Sequence, residues 1–281
     1  MEIVAGCAVE RTGAGEPLVL LHGIGSRRQI WDPLLPALTG VREVLAVDLP
    51  GFGAASGVPS QAPSRHPAGS IPALADAVEA LCAALDVDRP HVAGNSMGGA
   101  VALELGRRGA VRSVTAFSPA GFWAGPGLAW VRGLVGGARG LGRTLPAGAV
   151  RAVAGAPVVR PLVFGPFRAS PGRAGADVLA ADTAALGAAT GYADAARAFS
   201  DLRWDRVLRP DGAGTGALGT LPVVVAWGTR DLVLPYRPQA GRARALLPAA
   251  VHVPLPSCGH IPFADDPQAC VSALFAASAA F

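Results

Sequence analysis

The chain has 281 residues, 51% of them hydrophobic and 16% charged, ample for a large buried core with a modest insertion. No apolar run reaches the roughly 18 residues of a membrane span, and Glu2, Glu10 and Arg11 break up an N-terminus without the pattern of a signal peptide, so no membrane and a cytoplasmic location are expected. The net charge of +4 comes from arginine alone, without lysine; residues 121–216 hold 11 Arg and 6 Asp with neither interleaved aromatics nor a nucleic-acid-binding motif, so the expectation is solvated arginines, or steering of an anionic substrate, and no nucleic acid.

Short apolar, β-branched runs predict strands at Ile3 to Val9 and Leu18 to Leu21, followed by a helical pattern over Ile30 to Leu38 and a strand at Val44 to Val47. A loop rich in Ala, Ser, Pro and Gly, residues 53–70, leads into a helix over Ile71 to Leu85. Next come a strand at His91 to Ala93, a helix over Met97 to Arg107 and a strand at Val111 to Phe117. There the alternation stops. Up to Val223 the chain shows only Gly-Pro, Arg-Pro and Ser-Pro breaks around short helical pieces such as Asp177 to Leu186 and Tyr192 to Phe199. A stretch that long is not a loop, so residues 121–219 are expected to form a helical cap inserted into a core of residues 1–120 and 220–281. The alternation resumes with a strand at Val223 to Trp227, a helix over Gln239 to Leu247, a strand at Val251 to Leu255 and a helix over Pro267 to Ala280. This is the pattern of an α/β fold: a mostly parallel sheet covered on both faces, with functional groups at the carboxyl ends of its strands.

One of those ends is Gly94-Asn95-Ser96-Met97-Gly98, a serine between two glycines where a strand meets a helix. So tight a turn strains the serine backbone, excludes side chains on either side and lifts the hydroxyl clear of the sheet. A hydroxyl is a poor nucleophile at neutral pH and needs a base, which in turn needs an orienting acid. His260 follows the last strand and Asp231 the preceding one, in the chain order Ser, Asp, His that this topology requires. Asp48, at another strand end, is the rival acid, although its Asp48-Leu49-Pro50-Gly51 setting suits a turn. His66, His91 and His252 read as solvated or structural. Asp265 and Asp266 read as caps of the last helix. The N–H groups of Met97 and of Ile24, in His22-Gly23-Ile24-Gly25, are the expected oxyanion donors, with His22 ordering that loop. The four cysteines, Cys7, Cys82, Cys258 and Cys270, lack metal or redox spacing and read as reduced packing residues.

Together, His22-Gly23-x-Gly25, Asp48-Leu49-Pro50-Gly51-Phe52-Gly53, Gly94-Asn95-Ser96-Met97-Gly98-Gly99, Trp227-Gly228-Thr229-Arg230-Asp231 and Gly259-His260-Ile261-Pro262 resemble the α/β-hydrolase family from about residue 16 onward. The resemblance implies an eight-stranded, mostly parallel sheet with the cap after the sixth strand. Asn95 and Gly98-Gly99 are similar to hydrolases that cleave carbon–carbon bonds of aromatic ring-fission products, while Gly25-Ser26-Arg27 and Ile261 depart from them. The serine at the elbow, in place of aspartate, argues against epoxide hydrolase and dehalogenase chemistry.

The expected activity is therefore hydrolysis of a carboxylic ester, thioester or lactone with an apolar acyl or aromatic group, by a monomer or homodimer using no metal or cofactor. The candidate catalytic residues are Ser96, Asp231 and His260. Trp31, Phe122, Trp123, Trp130, Phe164 and Phe167 are the candidate substrate contacts. Carbon–carbon hydrolysis, acyl transfer or perhydrolysis by the same triad, and non-catalytic ligand binding on the same fold remain the alternatives.

Overall fold

The computed structural model describes residues 1–59, 61–209, 211 and 213–278. Residues 279 and 280, the end of the last predicted helix, lie outside them. Eight strands form one sheet: β1 (Glu2–Val4), β2 (Cys7–Gly13), β3 (Glu16–Leu21), β4 (Arg42–Asp48), β5 (His91–Asn95), β6 (Ser113–Phe117), β7 (Val223–Gly228) and β8 (Val251–Leu255). Their spatial order is β1-β2-β4-β3-β5-β6-β7-β8, and β2 alone runs against its neighbours. β5, β6 and β7 are buried along their whole length, which is why they read as continuous apolar runs rather than alternating ones.

The expected first strand, Ile3 to Val9, is two strands. Ala5 and Gly6 both take positive φ, 52° and 83°, and close a two-residue hairpin that pairs Val4 with Cys7. The expected helix over Ile30 to Leu38 is a 3₁₀ segment, Arg28–Leu34, followed by one turn of α-helix, α1 (Leu35–Leu38). Pro33 and Pro36 lack the N–H groups that a continuous α-helix there would use.

Two long helices frame the centre of the sheet. α2 (Ile71–Ala84) starts at Ser70, whose hydroxyl accepts from the Ala73 N–H at 3.3 Å. α3 (Met97–Arg108) is buried from Met97 to Gly106 and stops at Gly109, in the left-handed region. Between β6 and β7 the described chain is helical: α4 (Gly127–Thr144), α5 (Ala147–Gly155), α6 (Val159–Phe164), α7 (Ala176–Ala188), α8 (Tyr192–Ala198) and α9 (Trp204–Val207). α10 (Tyr236–Leu246) and α11 (Pro267–Ser278) complete the layers.

Alternate strand residues feed two cores. Val19, Leu21, Val114 and Val225 pack with α2, α3 and α10; Leu18, Leu20, Ala93 and Val224 pack with the 3₁₀ segment and α11. A third, small core of Val150, Ala154, Phe164, Leu179 and Ala180 lies within the helices that follow β6.

Candidate active site

Ser96 joins β5 to α3 with φ 55° and ψ −112°, a region closed to most L-residues. The turn is held from three sides. The Ser96 N–H donates to the Phe117 carbonyl at 2.9 Å, the Ser96 carbonyl accepts from Ala120 N–H at 3.0 Å, and the same carbonyl accepts the N–H of Ala100 in α3 at 3.0 Å. Glycine is required on both sides: a Cβ on Gly94 would run into the Gly98 carbonyl, and one on Gly98 into the Leu21 carbonyl.

His260 and Asp231 meet beyond the ends of β8 and β7. The His260 Nδ1–H donates to Asp231 Oδ2 at 2.8 Å, which leaves Nε2 as the acceptor of the neutral ring. Asp231 Oδ1 accepts from the N–H groups of Val233 (2.9 Å) and Leu234 (2.7 Å), so the carboxylate is buried but fully partnered. The elbow also reaches this loop directly: Asn95 Nδ2 donates to the His260 carbonyl at 2.9 Å and to the Phe117 carbonyl at 3.2 Å. Ser96, 6% exposed, and His260, 5% exposed, line one cavity of about 250 Å³.

The expected oxyanion loop turns at Gly23 to Ser26, with Gly25 at φ 68° and Ser26 N–H donating to the Gly23 carbonyl. Ile24 lines the cavity beside Ser96, and the N–H of Met97 lies at the start of α3. His22 orders this loop in a defined tautomer. Leu49 N–H donates to Nε2 at 3.0 Å, so Nδ1 carries the proton and donates to the Gly23 carbonyl at 2.7 Å. Burial holds the His22 pKa below the usual histidine value, against the pull of Asp48 and of the Gly23 carbonyl. Asp48 is committed elsewhere: it accepts from Arg28 N–H at 2.6 Å, from the Arg28 guanidinium at 2.7 Å and from Ala54 N–H at 3.0 Å.

Three of the six candidate substrate contacts, Trp123, Phe164 and Phe167, line the cavity. The other three are corrected. Trp31 belongs to the core on the opposite face of the sheet, with its ring 4.0 Å from that of Phe263 and 6.0 Å from that of Phe117. Phe122 is buried between Trp204 and Trp227. Trp130 is 53% exposed, and its Nε1 donates to the Leu232 carbonyl at 2.8 Å. A search confined to aromatics overlooks the aliphatic walls. Val131, Val135 and Ala138 of α4 face the cavity, and their helical spacing was the available signal.

Asp265 is the second correction. Asp266 caps α11 by accepting from Ala269 N–H at 3.0 Å, whereas Asp265 turns inward. Its carboxylate accepts from Gly259 N–H (2.8 Å), Ala169 N–H (3.0 Å) and Ser170 N–H (2.8 Å), clasping the His260 loop to the segment between α6 and α7. Ile261 N–H adds a bond to the Phe167 carbonyl at 2.9 Å. Nothing in the Asp-Asp-Pro sequence separates these two roles.

Burial makes the cysteines poor nucleophiles. All four are buried free thiols, and burial pushes Cys7 and Cys258 up to about 12 and Cys82 up to about 11. Among the described residues no grouping of three or more His, Cys, Asp or Glu could hold a metal ion, and no helix is long and apolar enough to cross a membrane.

Residues 18–273 match the alpha/beta hydrolase family. The chain belongs to that family. It is 31% identical over 259 residues to the dihydrolipoyllysine-residue acetyltransferase component of the acetoin cleaving system of Pseudomonas putida, a match covering 88% of this chain and 59% of that longer protein. Over 98 residues, 35% of each chain, this alpha/beta hydrolase is 41% identical to a pimeloyl-acyl-carrier-protein methyl ester esterase of Aeromonas hydrophila. The enol-lactonase of Burkholderia xenovorans has the same fold, with a TM-score of 0.70 at 22% identity over 98% of this chain and 97% of that one.

Proposed function

We propose that this alpha/beta hydrolase is a serine carboxylesterase acting on esters, thioesters or lactones of apolar acyl groups, with Ser96 as nucleophile, His260 as base and Asp231 as its orienting acid. The observation that carries the reading is the 2.8 Å bond from His260 Nδ1 to Asp231, with His260 and the strained Ser96 lining the same apolar cavity. The partial match to a methyl ester esterase supports ester chemistry. The helices at 121–219 then serve as a cap over the site.

In the first half-reaction Ser96 Oγ bonds to the acyl carbon and its proton passes to His260 Nε2, while Asp231 stabilises the imidazolium. The N–H groups of Ile24 and Met97 receive the negative charge on the carbonyl oxygen. As the carbon–oxygen bond breaks, His260 returns the proton to the departing alcohol. Water then adds to the acyl carbon, giving one proton to His260, and Ser96 leaves with that proton restored.

Ser96→Ala is expected to lower kcat for p-nitrophenyl esters by about 10⁴-fold or more. Steady-state rates of the purified variant test this, and an unchanged rate would exclude the assignment. A ring-fission dienoate in the same assay separates the carbon–carbon alternative: turnover of the dienoate with none of the esters would replace the ester reading.

A further inference from the structure

The cavity does not end at Ser96. Its wall follows one face of α4 through Val131, Val135, Ala138 and Leu141 to Leu145 just past the helix end, 14 residue steps or roughly 21 Å at about 1.5 Å per step. Facing them are Val150 and Val153 of α5, Val163 of α6 and Leu179 of α7. Three of the five residues of the small core between these helices, Val150, Phe164 and Leu179, therefore border the cavity rather than close it. The helices cannot draw in to fill it. α4 and α7 already touch backbone to backbone at Gly142 and Gly187, where a Cβ on either would run into the facing chain. An apolar void lacks contacts on its inner side, and an apolar ligand supplies them.

Charge is confined to the reactive end. Arg168 Nη2 and Arg27 Nε both donate to Asp182, each at 2.9 Å. Arg168 packs on Gly259 beside His260, and Arg27 follows the Gly23 to Ser26 turn. Toward Leu141, Leu145 and Val153 the wall is aliphatic.

We infer that this site takes an unbranched aliphatic acyl chain with a methyl end, threaded from Ser96 along α4 into the core of the helices that follow β6, which the chain completes. This rests on the proposed esterase function. About 250 Å³ holds roughly eight groups of about 30 Å³, so the preferred chain has roughly eight to ten carbons. The acyl half is assigned because it stays attached to Ser96 while the first product departs; a buried alcohol chain would have to clear the channel before water could act.

Kinetic and binding measurements test it. On p-nitrophenyl esters from acetate to hexadecanoate, kcat/KM is expected to rise up to about fourfold per methylene as far as octanoate to decanoate, then to level or fall. In Val153→Trp, and separately in Ala138→Phe, the ratio of decanoate to acetate kcat/KM is expected to drop at least tenfold. A preference for acetate, or an unchanged ratio in both variants, overturns the inference. So does a chain-length climb seen with alkyl acetates and absent from the acyl series. Binding supplies an arm independent of catalysis: decanoate, and not butyrate, is expected to raise the Tm of Ser96→Ala by roughly 5 °C at about a hundredfold over its Kd. Decanoate binding without Ser96-dependent hydrolysis of any ester would keep the channel and reject the esterase function. Hydrolysis without decanoate binding would do the reverse.

Discussion

At Ser96 the strain is sustained by its neighbours. Gly94 and Gly98 leave no room for a Cβ, and the residue's own N–H and carbonyl are held by β6, by Ala120 and by α3. Gly98→Ala is therefore expected to force the elbow away from Leu21, costing about 1–3 kcal/mol and most of the activity; wild-type kinetics in a folded Gly98→Ala protein would show that the turn tolerates displacement. Asp265 makes a comparable prediction for His260, the proposed base. An asparagine there retains one acceptor oxygen where the carboxylate has two, leaving at least one of the three N–H groups of Gly259, Ala169 and Ser170 without its partner. The expected cost is about 1–3 kcal/mol, seen as a lower Tm, together with a fall in kcat that exceeds any rise in KM as His260 loses its fixed position. Unchanged kcat with a lowered Tm would make the clasp structural only. The serine, aspartate and histidine stand out in the sequence as candidates because each sits in a motif at a strand end. Asp265 and Asn95 do not, since their partners are backbone groups brought close only by folding.

At the scale of elements, most boundaries follow from periodicity, and the exceptions have local causes. Val4-Ala5-Gly6-Cys7 lacks the Asn-Gly or Asp-Gly signature of a tight hairpin, so one strand was expected where the chain turns back. The aliphatic stripe of α4 carries a helical period, yet a stripe of that kind signals burial without saying whether a core or a cavity lies opposite. Beside their apolar packing, α2 and α3 are joined through Arg108, which bonds Glu104 at 2.9 Å, Asp76 at 2.7 Å and Glu79 at 3.2 Å. Glu104 is nearly buried; burial raises its pKa, and Arg107 and Arg108 more than offset this to hold it below the usual carboxylate value. Arg108→Ala leaves that carboxylate with one partner fewer and is expected to cost roughly 2–4 kcal/mol in denaturant unfolding. A midpoint matching the wild type would show that Arg107 alone suffices.

For the whole molecule, stability should depend on pH in two stages. Burial lowers the pKa of His22, His91 and His252 below 6.5 in the folded chain, so the unfolded chain takes up these protons first. Stability is complete above about pH 6.5 and declines as pH falls through it. A further loss begins below about 4.5, where the unfolded chain protonates Glu104 and Glu43 while paired arginines still hold both ionised in the folded chain. Thermal unfolding from pH 8 to pH 4 reads both stages; a flat profile between pH 7 and 5.5 would contradict the neutral His22 that orders the loop beside Ser96. The proposed role of Ser96 as nucleophile is tested most directly by peptide mass spectrometry after fluorophosphonate labelling. The predicted result is one adduct per chain on the peptide carrying Ser96, slowed in His260→Ala and absent from Ser96→Ala. An adduct on another residue, with Ser96 unmodified in the wild-type protein, would contradict it.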